Sequence, residues 1–240
     1  MQGTKLGCFA AGRDFAVALP AGFGADCEAW APVVCQDGIC RLQKSSDPVV
    51  QSVGLLPIIP LKKLLLPEAE PVWCWDGKNF LSPEAPCRTV VWGTAACDLQ
   101  ALGYLDRVFR DDPLYQARRE RLLVVGSPCS PGDRCCCEPD GLALGGDLFW
   151  FEDRVWALSA KGLEILQRLV PELADSAETL PLPKPLAKGM VEITETLFRQ
   201  SAGSSVWPEQ GEKCLSCGAC SAVCPTCYCY GVQECVDLEF

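Results

Sequence analysis

Strand and helix periodicity predicts an α/β domain over most of this chain, and a cysteine-dense stretch predicts a second, smaller domain behind it. Three observations carry that prediction. A β-branched run at 89–92 is followed by a helix-periodic segment at 95–109, with Leu99, Leu102, Leu105, Val108 and Phe109 recurring on one side. The segment DPLYQARRERLLVVG then supplies a short charged helix and a second strand at 122–125, and strand–helix–strand order favours parallel pairing. Finally, Pro181, Pro183 and Pro185 alternate through LPLPKP as a stiff linker, which divides the chain into 1–185 and 186–240.

The remaining elements follow in order. The first forty or so residues mix Gly, Pro and Cys with apolar runs at 15–19 and 31–35, and they read as short strands and turns. The apolar stretch 55–66 contains Pro57, Pro60, Lys62 and Lys63, so it is too short and too broken to span a bilayer. A strand at 72–75 closes on the turn Asp76-Gly77. Beyond the 122–125 strand, the glycine-rich residues 141–147 lead to a hairpin of 148–151 and 155–158, turned at Glu152-Asp153. A helix over 161–170 stops at Pro171, another is expected over 190–200, and SAGSS bridges into the tail.

With 49% apolar and 22% charged residues among 240, the chain has the makeup of a globular protein. Eighteen of those residues are cysteine. In a short secreted chain they would signal disulfides, but Arg13 and Asp14 interrupt the apolar core that a signal peptide needs. Metal-held thiolates in a reducing cytoplasm are the expectation instead. Histidine is absent, which excludes imidazole ligands, Rieske-type clusters and Ser-His or Cys-His catalysis. A net charge of −10 argues against a nucleic-acid partner, which would need a basic footprint.

The tail CLSCGACSAVCPTCYCY places Cys214, Cys217 and Cys220 at C-x2-C-x2-C spacing, with Cys224 four positions later and Pro225 after it. That run holds a 4Fe–4S cluster in bacterial ferredoxins, each thiolate of the loop reaching a different iron. The smaller domain is therefore expected to be ferredoxin-like. Four-thiolate zinc sites usually rest on two separated C-x2-C pairs and are the plainer alternative.

A second constellation lies in the α/β domain. Cys97 starts the helix after the 89–92 strand, and Cys129 follows the 122–125 strand in GSPCSPGDRCCCEPDG. Ends of neighbouring parallel strands lie side by side, so Cys97 and Cys129 could face one another across a strand-end crevice. Cys135 and Cys137 would complete four thiolates for a second 4Fe–4S cluster, with Cys136 pointing away. The plain alternative is a set of buried thiols, since cysteine packs readily in cores.

The segments VVWGTAACDLQALGYLDRVFRDDPLYQARRERLLVVG, CSPGDRCCCEPDG, GGDLFWFEDRVWALSAKGLEIL and CLSCGACSAVCPTCYCYGV resemble one family in order and spacing. That family comprises the iron–sulfur β subunits of cytoplasmic nickel–iron hydrogenases and sulfhydrogenases, together with the corresponding iron–sulfur subunit of anaerobic sulfite reductases. IIPLKKLLLPEAEPVWCW is similar to its proline-lysine stretch, so the likeness covers roughly 55–240. The resemblance implies a relay between a flavin-bearing partner and a catalytic subunit. It supports Cys97, Cys129, Cys135 and Cys137 as one ligand set and Cys214, Cys217 and Cys220 as another. Its C-P-T-C-x-C continuation implies a ligand role for Cys227 or Cys229. Two departures stand out. Ala95 replaces an arginine usual in the family, and no second ferredoxin motif follows Cys224, leaving that cysteine without a second cube in this tail. Cys224, Cys227, Cys229 and Cys235 are the candidates for the missing fourth ligand, or for another metal.

Cys8, Cys27, Cys35, Cys40, Cys74 and Cys87 read as buried thiols, with a third site from Cys27, Cys35 and Cys40 plus Cys74 or Cys87 as the alternative. Arg118, Arg119 and Arg121 read as a solvated helix face. GFGADC lacks the third glycine of a dinucleotide fingerprint, and neither a P-loop nor G-x-S-x-G occurs, so flavin or nicotinamide belongs on another subunit. The expected function is an iron–sulfur electron-transfer subunit of a cytoplasmic oxidoreductase complex. The rival readings are a zinc-binding structural protein and a catalytic sulfur-compound reductase subunit.

Overall fold

The protein is described by a computed structural model that covers residues 7–45, 54–129, 144–170, 180–181 and 195–229. Its strands are β1 (Gly7–Ala10), β2 (Glu28–Val34), β3 (Cys40–Lys44), β4 (Cys74–Trp75), β5 (Phe80–Leu81), β6 (Thr89–Thr94), β7 (Leu122–Gly126), β8 (Leu148–Phe151) and β9 (Arg154–Ala157). Its α-helices are α1 (Arg13–Phe23), α2 (Ala96–Val108), α3 (Pro113–Glu120), α4 (Ala160–Leu169), α5 (Glu195–Ser201), α6 (Val206–Lys213) and α7 (Ala219–Val223), with a 3-10 turn at Leu61–Leu64. No helix among the described residues is long and apolar enough to cross a membrane.

Seven strands form one sheet in the order β1-β9-β8-β7-β6-β2-β3. Its centre is parallel: β2 pairs with β6, β6 with β7, and β7 with β8, while β1, β9 and β3 add antiparallel edges. Every residue of β6 and β7 is buried, as strands covered on both faces must be. Successive side chains go to opposite faces. Val90, Trp92, Leu123 and Val125 pack with Phe15, Ala16, Leu19 and Phe23 of α1 and with Ile165 and Leu166 of α4. Val91, Leu122 and Val124 pack on the other face with Leu99, Leu102 and Leu105 of α2, Tyr115 of α3, and Leu61 and Leu65 around the 3-10 turn.

The expected strand at 72–75 shortens to β4, which forms a separate exposed ribbon with β5. Asp76 makes that turn by accepting the backbone N–H groups of Lys78 and Asn79, while Gly77 takes φ 96°. The hairpin β8–β9 and the helices of residues 96–120 form as the periodicity predicts.

Two expectations are corrected. Residues 15–19 lie in α1 rather than in a strand; Phe15, Ala16, Leu19 and Phe23 recur at helical spacing, and Pro20 obscures that pattern because it cannot donate to Ala16. The arginine cluster is not a solvated face. Arg118 donates to the Leu65 carbonyl at 2.7 Å and pairs with Glu70. The Arg119 side chain, 13% exposed, bridges Asp106 and Asp147 at 3.2 Å each and donates to the Gly145 carbonyl at 2.7 Å.

Asp147 is the centre of that network. Its carboxylate accepts the Val124 N–H at 2.9 Å and the Ser159 hydroxyl at 2.9 Å, with Lys161 at 3.4 Å. It ties β7 to the chain entering β8 and to the start of α4. Cys135, Cys136, Cys137 and Cys235, the linker prolines Pro183 and Pro185, and residues 190–194 lie outside the described residues.

Candidate functional site

The strand-end site is built by the β6–α2 and β7 exits. Thr94 lies opposite Gly126 in the parallel register, and the Ser127 N–H donates to the Thr94 carbonyl at 3.0 Å. Ala95 caps α2, so Cys97 falls in its first turn, and Cys129 follows β7 by three residues. The two cysteines therefore sit at the same edge of the sheet, at the ends of adjacent strands, each half-buried. Gly126 is required there: a Cβ would come within 2.6 Å of Leu99 and 2.7 Å of Phe149.

Thr94 gives this edge an unsatisfied donor. Its hydroxyl is buried, with the residue 4% exposed, and it has no hydrogen-bond partner among the described residues. Buried hydroxyls are normally paired, and the sulfur of a cluster held by Cys97 would provide an acceptor. The described part of the set fits a thiolate-held cluster. Cys135 and Cys137, its other expected members, lie outside the described residues.

The tail site is a coil between two short helices. Cys214 leaves α6 in an extended conformation, while Ser216 (φ 52°) and Gly218 (φ 73°) are left-handed on either side of Cys217. Glycine tolerates that geometry without a steric penalty, and Ser216 does not. Cys220 rides on α7 and Cys224 caps its end. Backbone amides already face sulfur: Ser216 N–H donates to Cys214 Sγ and Cys229 N–H to Cys227 Sγ, both at 3.4 Å. Such bonds stabilise thiolates and tune clusters.

The later thiols also sense one another. The Cys229 N–H, the Ser221 hydroxyl and the Lys62 ammonium hold the Cys227 thiol below its ordinary pKa. The Cys229 thiol is pushed up by its neighbour Cys227 first, and by Cys224 and Cys220 as well. Cys220, Cys224, Cys227 and Cys229 thus share one neighbourhood. Among the described residues no three Cys, Asp or Glu groups converge on a point that would hold a single metal ion. A cubane presents its irons at separate corners, so its thiolates surround it rather than meet.

The tail rests against α2 and the 3-10 turn, which cover the second face of the sheet. Tyr228 meets Tyr104 and Phe109 at the far end of α2, with ring centroids 6.2 and 5.9 Å apart. Pro225 lines a narrow gap together with Pro60, Leu61, Lys62, Asp98, Leu102 and Leu105. Burial pushes the Asp98 carboxyl up to about 6. Lys62 donates to the carbonyls of Ser221 and Cys227. Nothing in the spacing of PLKK identifies this role; it emerges only when the 3-10 turn and the tail are brought together.

The other cysteines do not assemble a third site. Cys35 and Cys40 flank the β2–β3 turn, whereas Cys27 and Cys87 lie at the opposite end of β2. Seven strand residues separate the pairs by about 20 Å. Burial raises the Cys27 thiol to about 11, and Cys74 is on the exposed β4–β5 ribbon. None of the described cysteines forms a disulfide.

No family model and no solved structure matches the chain. Among curated proteins it is similar to the sulfhydrogenase 2 subunit beta of Pyrococcus furiosus, 30% identical over 201 residues of alignment covering 74% of this chain. The chain spans 59% of the length of that relative. This similarity agrees with the resemblance to hydrogenase β subunits that those sequence segments carry.

Proposed function

We propose that the chain is an iron–sulfur electron-transfer subunit of a cytoplasmic oxidoreductase complex. It relays electrons between a flavin-bearing partner and a catalytic subunit of hydrogenase or sulfur-reductase type. The observation that supports the reading is that Cys97 and the tail coil both meet α2. Cys97 lies in its first turn, and the tail packs on Tyr104 and Phe109 toward its other end. The seven residues from Cys97 to Tyr104 rise about 10 Å along the helix.

In this reading Cys97, Cys129, Cys135 and Cys137 hold one 4Fe–4S cluster in an α/β domain of residues 1–185. Cys214, Cys217 and Cys220 hold three corners of another in a ferredoxin-like domain of residues 186–240, with Cys224, Cys227 or Cys229 as the fourth ligand. When bound, the clusters supply one-electron transfer. The chain's own residues position and tune them: the Ser216 and Cys229 amides donate to cysteine sulfur, the unpartnered Thr94 hydroxyl would donate to a cluster sulfur, and α2 fixes the spacing.

Anaerobic reconstitution of Cys97→Ser and Cys217→Ser tests this directly. Each variant should lose about half of the iron and sulfide, and a different electron paramagnetic resonance signal should vanish in each. Unchanged iron in both variants would refute the ligand assignment.

A further inference from the structure

The Cys-Pro sequence that closes the tail motif creates a problem for α7. In a helix the Ser221 carbonyl would accept from the residue four positions on, which is Pro225, and proline has no N–H. Lys62 supplies the missing donor. Its ammonium, carried on the 3-10 turn, reaches the Ser221 carbonyl and, at 3.1 Å, the Cys227 carbonyl. One side chain thus bonds the helix that carries Cys220 and the turn that carries Cys227. Pro225 lines the same narrow gap as Lys62, Leu102 and Leu105.

The neighbouring Lys63 does something else. It donates to the Leu42 carbonyl at 2.8 Å and lies 5.3 Å from the Trp30 ring centroid, away from the tail. The two adjacent lysines therefore separate by function: one anchors the 3-10 turn to the sheet, the other reaches out to the cysteine coil.

We propose that Lys62 is a positioning residue that clamps the cysteine tail to the sheet and places a fixed positive charge beside the tail cluster, favouring its reduced form. The clamp stands on the contacts alone, while the effect on potential rests on the tail being a cluster site. A cluster that accepts one electron from the preceding donor gains one negative charge. A cation held nearby by neutral carbonyls stabilises that state, and loss of the electron to the next acceptor reverses it. At an effective dielectric of about 20 and a separation of about 10 Å, one charge shifts the reduced-to-oxidised ratio by about tenfold. For a one-electron couple that is about 59 mV.

The test uses the full chain with Lys62→Gln, Lys62→Arg and the control Lys63→Gln. In metal-free protein, amide hydrogen exchange across 219–229 should quicken in Lys62→Gln and stay near wild type in Lys63→Gln. In anaerobically reconstituted protein, a redox titration followed by electron paramagnetic resonance should show the tail signal moving negative in Lys62→Gln and returning in Lys62→Arg. Unchanged exchange in Lys62→Gln overturns the clamp, and an unchanged potential overturns the charge effect. If wild type takes up no iron, the electron-transfer reading and the charge effect fail together, and the metal-free exchange still decides the clamp.

Discussion

Replacing Asp147 by alanine should destabilise the protein by about 3–5 kcal/mol, the usual cost of removing one partner from a buried ion pair. The side chain is 2% exposed and contacts two cations, Arg119 at 3.2 Å and Lys161 at 3.4 Å. Alanine would leave Lys161 without its carboxylate, and Asp106 would be the one carboxylate left to Arg119 beside its carbonyl partners. It would also orphan the Val124 N–H, which donates to Asp147 at 2.9 Å from inside a fully buried strand. An unmade buried hydrogen bond costs roughly 1–3 kcal/mol, part of the same total. Asp147→Asn separates the charge from the strand hydrogen bond, because its single amide oxygen can still accept from the Val124 N–H while its NH2 takes the place of the oxygen that Ser159 and Lys161 meet. Urea unfolding of metal-free protein, followed by tryptophan fluorescence and circular dichroism, should rank wild type above Asn above Ala. A loss below about 1 kcal/mol for Asp147→Ala would show that the network does not secure the β7–β8 junction.

Other expectations concern the same scaffold. Asp98 has its carboxyl raised by burial from the ordinary 3.8 to about 6, so its contribution is fully present below pH 3.8 and lost as pH rises through 6. Asp98→Asn should therefore be more stable than wild type at pH 7 by roughly 2–3 kcal/mol, with the difference vanishing near pH 4; equal stability at both pH values would contradict the burial that raises this carboxyl. Thr94→Val removes a buried hydroxyl that lacks a partner, so metal-free protein should gain about 1 kcal/mol in thermal or urea unfolding; a loss of similar size would mean the hydroxyl is already satisfied. Gly145→Ala would bring a Cβ within 2.3 Å of the Gly103 backbone nitrogen on α2, and should cost about 1–3 kcal/mol by equilibrium unfolding.

The parallel β6–β7 pair was legible because both strands are short apolar runs separated by a strongly periodic helix and a short charged one. The placement of Cys97 and Cys129 at adjacent strand ends followed from that alone. α1 was not legible: Pro20 and flanking glycines masked a four-residue apolar face that only the packed sheet reveals. The arginines of α3 misled for a related reason. Their charge signalled solvent, whereas the carboxylates that bury them come from Glu70, Asp106 and Asp147, distant in sequence. Lys62 shows the same limit at the site itself, since its partners lie 159 and 165 residues away. Spacing within a motif shows which residues bear the chemistry; contacts across the chain decide what surrounds them.

Iron, acid-labile sulfide and zinc, quantified together on anaerobically prepared full chain, bear most directly on the relay. Two 4Fe–4S clusters require about eight irons and about eight sulfides per chain, with an electron paramagnetic resonance signal on reduction. Stoichiometric zinc with no labile sulfide, after anaerobic reconstitution with iron and sulfide, would contradict it.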